Sequence, residues 1–185
     1  MTENKEDLPD KQLIALYLGK DDRAFEILYE RYKNAVYSYL NKLLPGQTAL
    51  VDDLFQQAWM KVVVNIGKYK DTYNFLAWVL RIARNLSIDH FRKESRKKTT
   101  PMEDVEPPGS ALDLPSSDLE HGELGQAIAE AVETLPLEQR EVFVLRQQNV
   151  PFKEIAVIQE TTLNTTLGRM HYAVDKLRSK LKEWL

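Results

Sequence analysis

Arg81, Arg84, Arg92 and Arg96, interleaved with Lys93, Lys97 and Lys98, carry the most evident chemistry in this chain. Residues 81–98 hold seven cations against two anions, Asp89 and Glu94. A guanidinium offers a rigid fork of donors that matches phosphate oxygens, so this cluster points to holding a polyanion rather than to transforming a substrate. Nothing else in the chain suggests catalysis. The three histidines, His90, His121 and His171, lie far apart in sequence. Asp89 and His90 are neighbours on a helical segment, where side chains diverge by about 100°. There is no glycine-rich phosphate loop, nucleophile elbow or HExxH pattern. The chain therefore reads as a non-enzyme, and no cofactor, metal or small-molecule substrate is expected.

The element that must position those cations is a helix. FLAWVLRIARNLSIDHFRKESRKK, from Phe75 to Lys98, offers Phe75, Trp78, Val79, Ile82, Leu86 and Phe91 at helical spacing as a face to bury. A buried start and a basic end describe a fixed rod laid along a polyanion. Helical spacing dominates elsewhere too. A first helix fits Asp10 to Leu18, with Asp10 as cap and Gly19 as stop. A second fits Asp22 to about Leu44, with Phe25, Leu28, Tyr29, Tyr32, Val36, Tyr39, Leu40 and Leu43 as its face. A third fits about Ala49 to Ile66, stopped by Gly67, and the basic helix runs from about Tyr73 to Ser95. The expected architecture is all-α: two small helical domains, residues 1–98 and 118–185, joined by an acidic linker at 99–117.

The linker is set by composition. Residues 99–117 hold four of the eight prolines, and no cation occurs between 99 and 134 against nine acids. Like charges and prolines resist compaction. Helical text then resumes from about Asp118 to Thr134, from Pro136 through Val142, Phe143 and Leu145, over FKEIAVIQE after Pro151, and from Leu163–Thr165 almost to Leu185.

Pro151 to Leu181 has the layout of a helix-turn-helix: a short helix burying Ile155 and Ala156, a tight polar turn Glu160–Asn164, and a longer helix. In such a motif the N-terminal residues of the second helix meet base edges in the major groove. Thr165, Gly168, Arg169 and Tyr172 share that outward face. Arg169 has the fork to bond a guanine bidentately, and Lys153 on the preceding helix suits a phosphate. Two packed helices of an ordinary bundle would show the same spacing.

The chain has 185 residues, no cysteine and a net charge of −3. Disulfides and cysteine-ligated zinc are excluded. No apolar run approaches the roughly 20 residues that span a bilayer, and the polar start MTENKEDLPDK lacks a signal-peptide core. A cytoplasmic protein with no membrane insertion is expected.

Taken together, the chain resembles a bacterial sigma factor of the extracytoplasmic-function (ECF) type from about Asp21 to Leu185. The residues that carry the resemblance are Ala24-Phe25, Leu28 to Tyr32, Asp52 to Gln57, Phe75 with Trp78, and Arg81 to Asn85 with Asp89 and Arg92. In the second half they are Leu135-Pro136, Arg140, Val142-Phe143, Leu145, Glu154 to Ala156, Thr165, Arg169, Ala173 and Leu177-Arg178. The resemblance implies partners: core RNA polymerase, promoter DNA and an anti-sigma factor. It implies that Asp52, Asp53, Gln56 and Gln57 dock on the polymerase. It implies that Tyr69, Lys70, Tyr73 and Asn74 form a loop capturing an opened −10 strand. Asn85 would contact a flipped base there, with Arg81, Arg84, Arg92 and Arg96 on phosphates. It assigns Lys153, Thr165, Gly168, Arg169 and Tyr172 to the −35 element, and places the acidic linker near the polymerase's active-site and RNA-exit channel.

Four positions depart from the family pattern. Gln57 stands where an acid is usual, Glu160 where the turn commonly has glycine, Leu167 where a polar or basic residue faces DNA, and Tyr172 where arginine is frequent. Leu167 also exposes a conflict of register. Simple periodicity buries Leu163, Leu167, Met170, Val174, Leu177 and Leu181, whereas the family register buries Thr166, Met170, Ala173 and Leu177. A DNA-binding regulator with a sensing or dimerising first domain would account for the helix-turn-helix but not for the basic helix.

Overall fold

The computed structural model describes residues 5–71, 74–97 and 122–184. The expected linker at 99–117, the first residues of the helix expected from Asp118, and Tyr73 lie outside the described residues. Among the described residues there are eight α-helices and no strand. They are α1 (Asp10–Leu18), α2 (Asp22–Leu43), α3 (Thr48–Asn65), α4 (Phe75–Lys97), α5 (Glu123–Glu133), α6 (Leu137–Gln147), α7 (Phe152–Ile158) and α8 (Leu163–Lys180).

Helix ends differ from expectation where side-chain chemistry competes. Asp10 is the first residue of α1 rather than its cap, and Pro9 precedes it. The Asp10 carboxylate instead accepts from Tyr32 Oη at 2.6 Å and from Arg31 at 2.5 Å, which fastens α1 to α2. Gly19 caps the end of α1 as expected, though with φ −78° rather than in the left-handed region. That conformation falls on Lys20, at φ 72°. α3 ends at Asn65, and Gly67 sits inside the short 3-10 turn that follows.

The faces expected on α2 and α4 point inward. Leu28, Val36, Tyr39, Leu40 and Leu43 of α2 are buried, as are Phe75, Val79 and Leu86 of α4, with Leu80 and Ala83 beside them. Rings from α2 and α3 interlock around Trp59, which meets Tyr29 edge-on at 4.9 Å between centroids.

The second half does not stand apart from the first. α6 lies against α2, and α7 against α4. Val142, Val144, Leu145, Ile155 and Ile158 join the same buried cluster as the residues of α1 to α4. A smaller cluster, Ala131, Leu135, Ala173 and Leu177, holds α5 and α8 together. Arg140 stitches the two parts. Its guanidinium donates to the backbone carbonyl of Leu43 at the end of α2 and to those of Glu133 and Leu135 after α5. A cation there meets the unpaired carbonyls and the negative dipole ends of two helices.

Candidate nucleic-acid interface

α4 presents the candidate −10 residues, and its start explains why it is fixed so firmly. Asn74 is exposed, and its side-chain oxygen accepts from the Ala77 backbone N–H at 3.3 Å, a helix cap. One function of this loop residue is thus to begin the helix. Tyr69 folds back onto the core. Its ring lies 5.5 Å from Phe75 and 5.4 Å from Trp78 between centroids. Burial, with the carboxylates of Asp71, Asp10 and Glu154 nearby, pushes its phenol up to about 12. Trp78 is half-buried against the same core. Lys70 is exposed. The structure therefore brings Lys70 and Asn74 to solvent and uses Tyr69 for packing.

The α4 cations fall into two groups. Arg92 and Arg96 are exposed near the C-terminal end. With Arg84 they line a cleft of about 560 Å³ whose other walls include Leu43, Ile88, Phe91 and Leu137. Arg81, Arg84 and Asn85, one turn or more earlier, face the second half of the chain. Arg81 donates to Glu160 Oε1 from Nε at 3.1 Å and from Nη2 at 2.7 Å. Asn85 hydrogen-bonds the same carboxylate. Arg81, and then Asn85, hold the Glu160 carboxyl below the usual glutamate range, against a smaller opposing effect of burial. Arg84 Nε donates to Glu141, whose side chain is 3% exposed.

The helix-turn-helix is built as its sequence layout implies, and the structure decides the register of α8. Thr166, Ala173 and Leu177 are buried, while Leu163 and Leu167 are 37% and 43% exposed. The family register holds, and simple periodicity fails for Leu163 and Leu167. The reason lies at the helix start. Thr162 caps α8 by accepting from the Thr165 N–H at 3.2 Å, and the Thr166 hydroxyl donates to the Thr162 carbonyl at 3.1 Å. With its hydroxyl satisfied locally, Thr166 can enter the core and rotates both leucines outward. Thr165 and Tyr172 are exposed, as is Lys153 on α7, and a Cβ built on Gly168 would meet open space. Arg169 is half-buried and donates to Gln159 Oε1 at 3.0 Å.

Glu160 explains the departure in the turn. It has φ 51°, a left-handed conformation natural to glycine and costly for a side chain. The glutamate stands there strained, held by Arg81 and Asn85.

The α7–α8 motif and the basic α4 occur in the order that known proteins share. A model of Sigma-70 region 2 matches residues 28–97, and a model of Sigma-70 region 4 matches residues 125–177. The ECF RNA polymerase sigma-E factor of Escherichia coli strain K12 is 25% identical over 186 residues, covering 96% of each chain. The ECF RNA polymerase sigma factor SigW of Bacillus subtilis strain 168 is 29% identical over 175 residues, covering 88% of this chain and 91% of that one.

The chain is an ECF-type sigma factor.

Two solved structures share the sigma factor's fold. CnrH, in complex with the cytosolic domain of CnrY, superposes with a TM-score of 0.68 at 22% identity over 94% of this chain and 97% of that one. The sigma factor RpoE of Bartonella quintana, in complex with the anti-sigma factor NepR, gives 0.67 at 23% identity over 85% and 96%. The candidate docking face of this sigma factor lies on α3, where Asp52, Asp53, Gln56 and Gln57 are all exposed. Gln57 donates to Asp53 at 2.7 Å, and Tyr37 donates to Asp52 at 2.9 Å. Gln57 thus spends its amide on orienting an acid instead of adding one. Further along α3, Met60 and Val64 are 69% and 78% exposed, with Val63 at 42%. The apolar pattern of α3 gave no sign that these three face water. Sequence reasoning also missed Tyr39, Glu141 and Gln159 as a group, because the contact that joins them spans about a hundred residues.

Proposed function

We propose that this protein binds core RNA polymerase and directs it to a two-part promoter. α8 reads the upstream element, α4 holds the opened downstream strand, and α3 docks on the polymerase. One observation supports this most: a helix-turn-helix with Thr165 and Arg169 in the first two turns of its second helix follows a separate basic helix in one chain. Neither half explains the other unless two stretches of DNA are read together. Arg169 supplies base discrimination, worth about 1–3 kcal/mol for a bidentate contact. Arg92 and Arg96 supply phosphate contacts that do not depend on sequence. On α3 the polar set Asp52, Asp53, Gln56 and Gln57 is extended by Met60 and Val64, which adds apolar area to the dock. The protein makes no covalent bond itself and works in the cytoplasm. An anti-sigma factor controls it by covering these surfaces, a reading favoured by two structural neighbours whose partners are CnrY and NepR.

Purified chain mixed with core polymerase tests the reading. Co-elution and initiation at a defined start, absent with core alone, are expected. Tight sequence-specific binding to duplex DNA without core, and no effect on transcription by core, would identify an ordinary regulator instead.

A further inference from the structure

The candidate DNA-binding residues of the two halves are joined to each other through one buried carboxylate. Glu141 on α6 is almost wholly enclosed. It accepts from Tyr39 Oη at 2.6 Å and Arg84 Nε at 3.1 Å, both from the first half, and from Gln159 Nε2 at 2.8 Å. Gln159 in turn accepts from Arg169 Nη1 at 3.0 Å. An unbroken chain of hydrogen bonds, Arg84–Glu141–Gln159–Arg169, thus runs from α4 to α8. Close by, Glu160 claims Arg81 and Asn85.

We propose that Glu141 is an internal latch: a resident carboxylate that stands where a phosphate would and keeps the free chain closed with its nucleic-acid groups turned inward. That those groups serve nucleic acid rests on the function proposed above. The chemistry suits a latch that opens. Enclosing a carboxylate and a guanidinium costs desolvation that their attraction only about repays, so the pair supplies geometry more than stability. Two donors from the first half, Tyr39 and Arg84, fix how the halves sit, and Gln159 from the second orients the carboxylate toward them. On separation Glu141 and Arg84 can regain water, and the Tyr39 hydroxyl must exchange Glu141 for water as well. The apolar side of the contact, Val142, Leu145 and Ile155 against α2 and α4, must be re-covered when the halves part. Opening is therefore favoured by a partner that offers both an apolar surface and a polyanion. A polymerase carrying promoter DNA is such a partner. An isolated DNA fragment is not.

The chain has no cysteine, so labels can be placed cleanly. Lys61 on α3 and Ser179 on α8 are exposed. Nitroxides at K61C and S179C in the full chain, measured by double electron–electron resonance, should give one narrow distance distribution. Glu141→Gln keeps size and removes the charge, and it should add a broad, longer component. Should that variant lose helical content by circular dichroism, Arg84→Gln loosens the same pair from α4 and should open the chain in the same way. A broad distribution in the parent chain, or a narrow one retained in the folded variant, overturns the latch. A second arm adds a fluorescein-labelled single-stranded 12-mer without polymerase. A tenfold rise in the open fraction should tighten apparent binding about tenfold. In this arm only Glu141→Gln is used, because it leaves the Arg84 guanidinium in place; if it opens by resonance yet binds the 12-mer no better, that supports the latch and counts against Arg84 as a nucleic-acid contact.

Discussion

Replacing Glu160 separates two opposing effects that the structure places on one residue. Its backbone is left-handed at φ 51°, and its side chain pairs with Arg81. Alanine removes the pair but keeps the Cβ that makes this conformation costly. Glycine removes both. The pair is worth little, because the two side chains are 43% and 48% exposed, and such surface pairs contribute about 0.2–1 kcal/mol. The strain that glycine relieves is about 1–2 kcal/mol. Set against the greater chain entropy of unfolded glycine, which favours alanine by about 0.4–1 kcal/mol, a net advantage of roughly 1 kcal/mol remains for glycine over alanine. Glu160→Ala should thus be slightly less stable than the parent, and Glu160→Gly more stable than Glu160→Ala. In a chain of this size unfolding as one unit, 1 kcal/mol corresponds to about 2–4 °C in Tm. Urea titration followed by circular dichroism reads the order directly. Alanine equal to or above glycine, as in a helix interior, would refute the strain at this turn.

Other perturbations follow from the same contacts. Glu160 is held below the ordinary glutamate value of 4.5, so the stability it contributes is present above that value and is lost as pH falls through the lowered one. The difference in urea midpoint between the parent and Glu160→Gln should shrink as pH is taken below about 4.5. Thr162→Ala removes the cap of α8 and should cost about 1 kcal/mol in denaturant titration, with promoter reading weakened alongside. Tyr39→Phe deletes a buried donor to a carboxylate and should cost about 1.5–3 kcal/mol, measured as a loss in urea midpoint. In binding assays with polymerase present, Arg169→Ala should lower promoter selectivity, while Arg92→Ala should weaken binding evenly across sequences and flatten its salt dependence.

The helices and their inward faces were legible because apolar side chains recur at helical spacing and the chain has few competing turn signals. The register of α8 was not legible from spacing alone. Leu163 and Leu167 look like core residues until the Thr162 side chain is seen to accept from the Thr165 N–H, and the Thr166 hydroxyl to donate to the Thr162 carbonyl, at the helix start. Glu160 was recognised as a departure, but its left-handed backbone depends on how α7 hands the chain to α8. Tyr69 shows the reverse limit. An aromatic in a loop beside lysine suits an exposed base, and the sequence does not show that the free chain packs this ring, partly buried, against Phe75 and Trp78. The candidate docking face is read from the sequence only through its polar residues, whereas the exposure of Met60 and Val64 beside them shows only once α3 is packed. Least legible was the contact between the halves. Glu141 in a helix of valines and leucines looks like a solvated charge until Tyr39 and Arg84, far away in sequence, are brought to it by the tertiary fold.

The central claim is that one chain reads two separate DNA elements with two separate helices. It is tested most directly by transcribing a pool of randomised promoters with core polymerase and each of three chains, and sequencing the templates that yield transcripts. The parent chain should select two short blocks at a fixed spacing upstream of the start. Arg169→Ala should relax only the upstream block, and Asn85→Ala only the downstream one. Selection of a single block, or loss of the same block in both variants, would contradict the division of labour between α8 and α4.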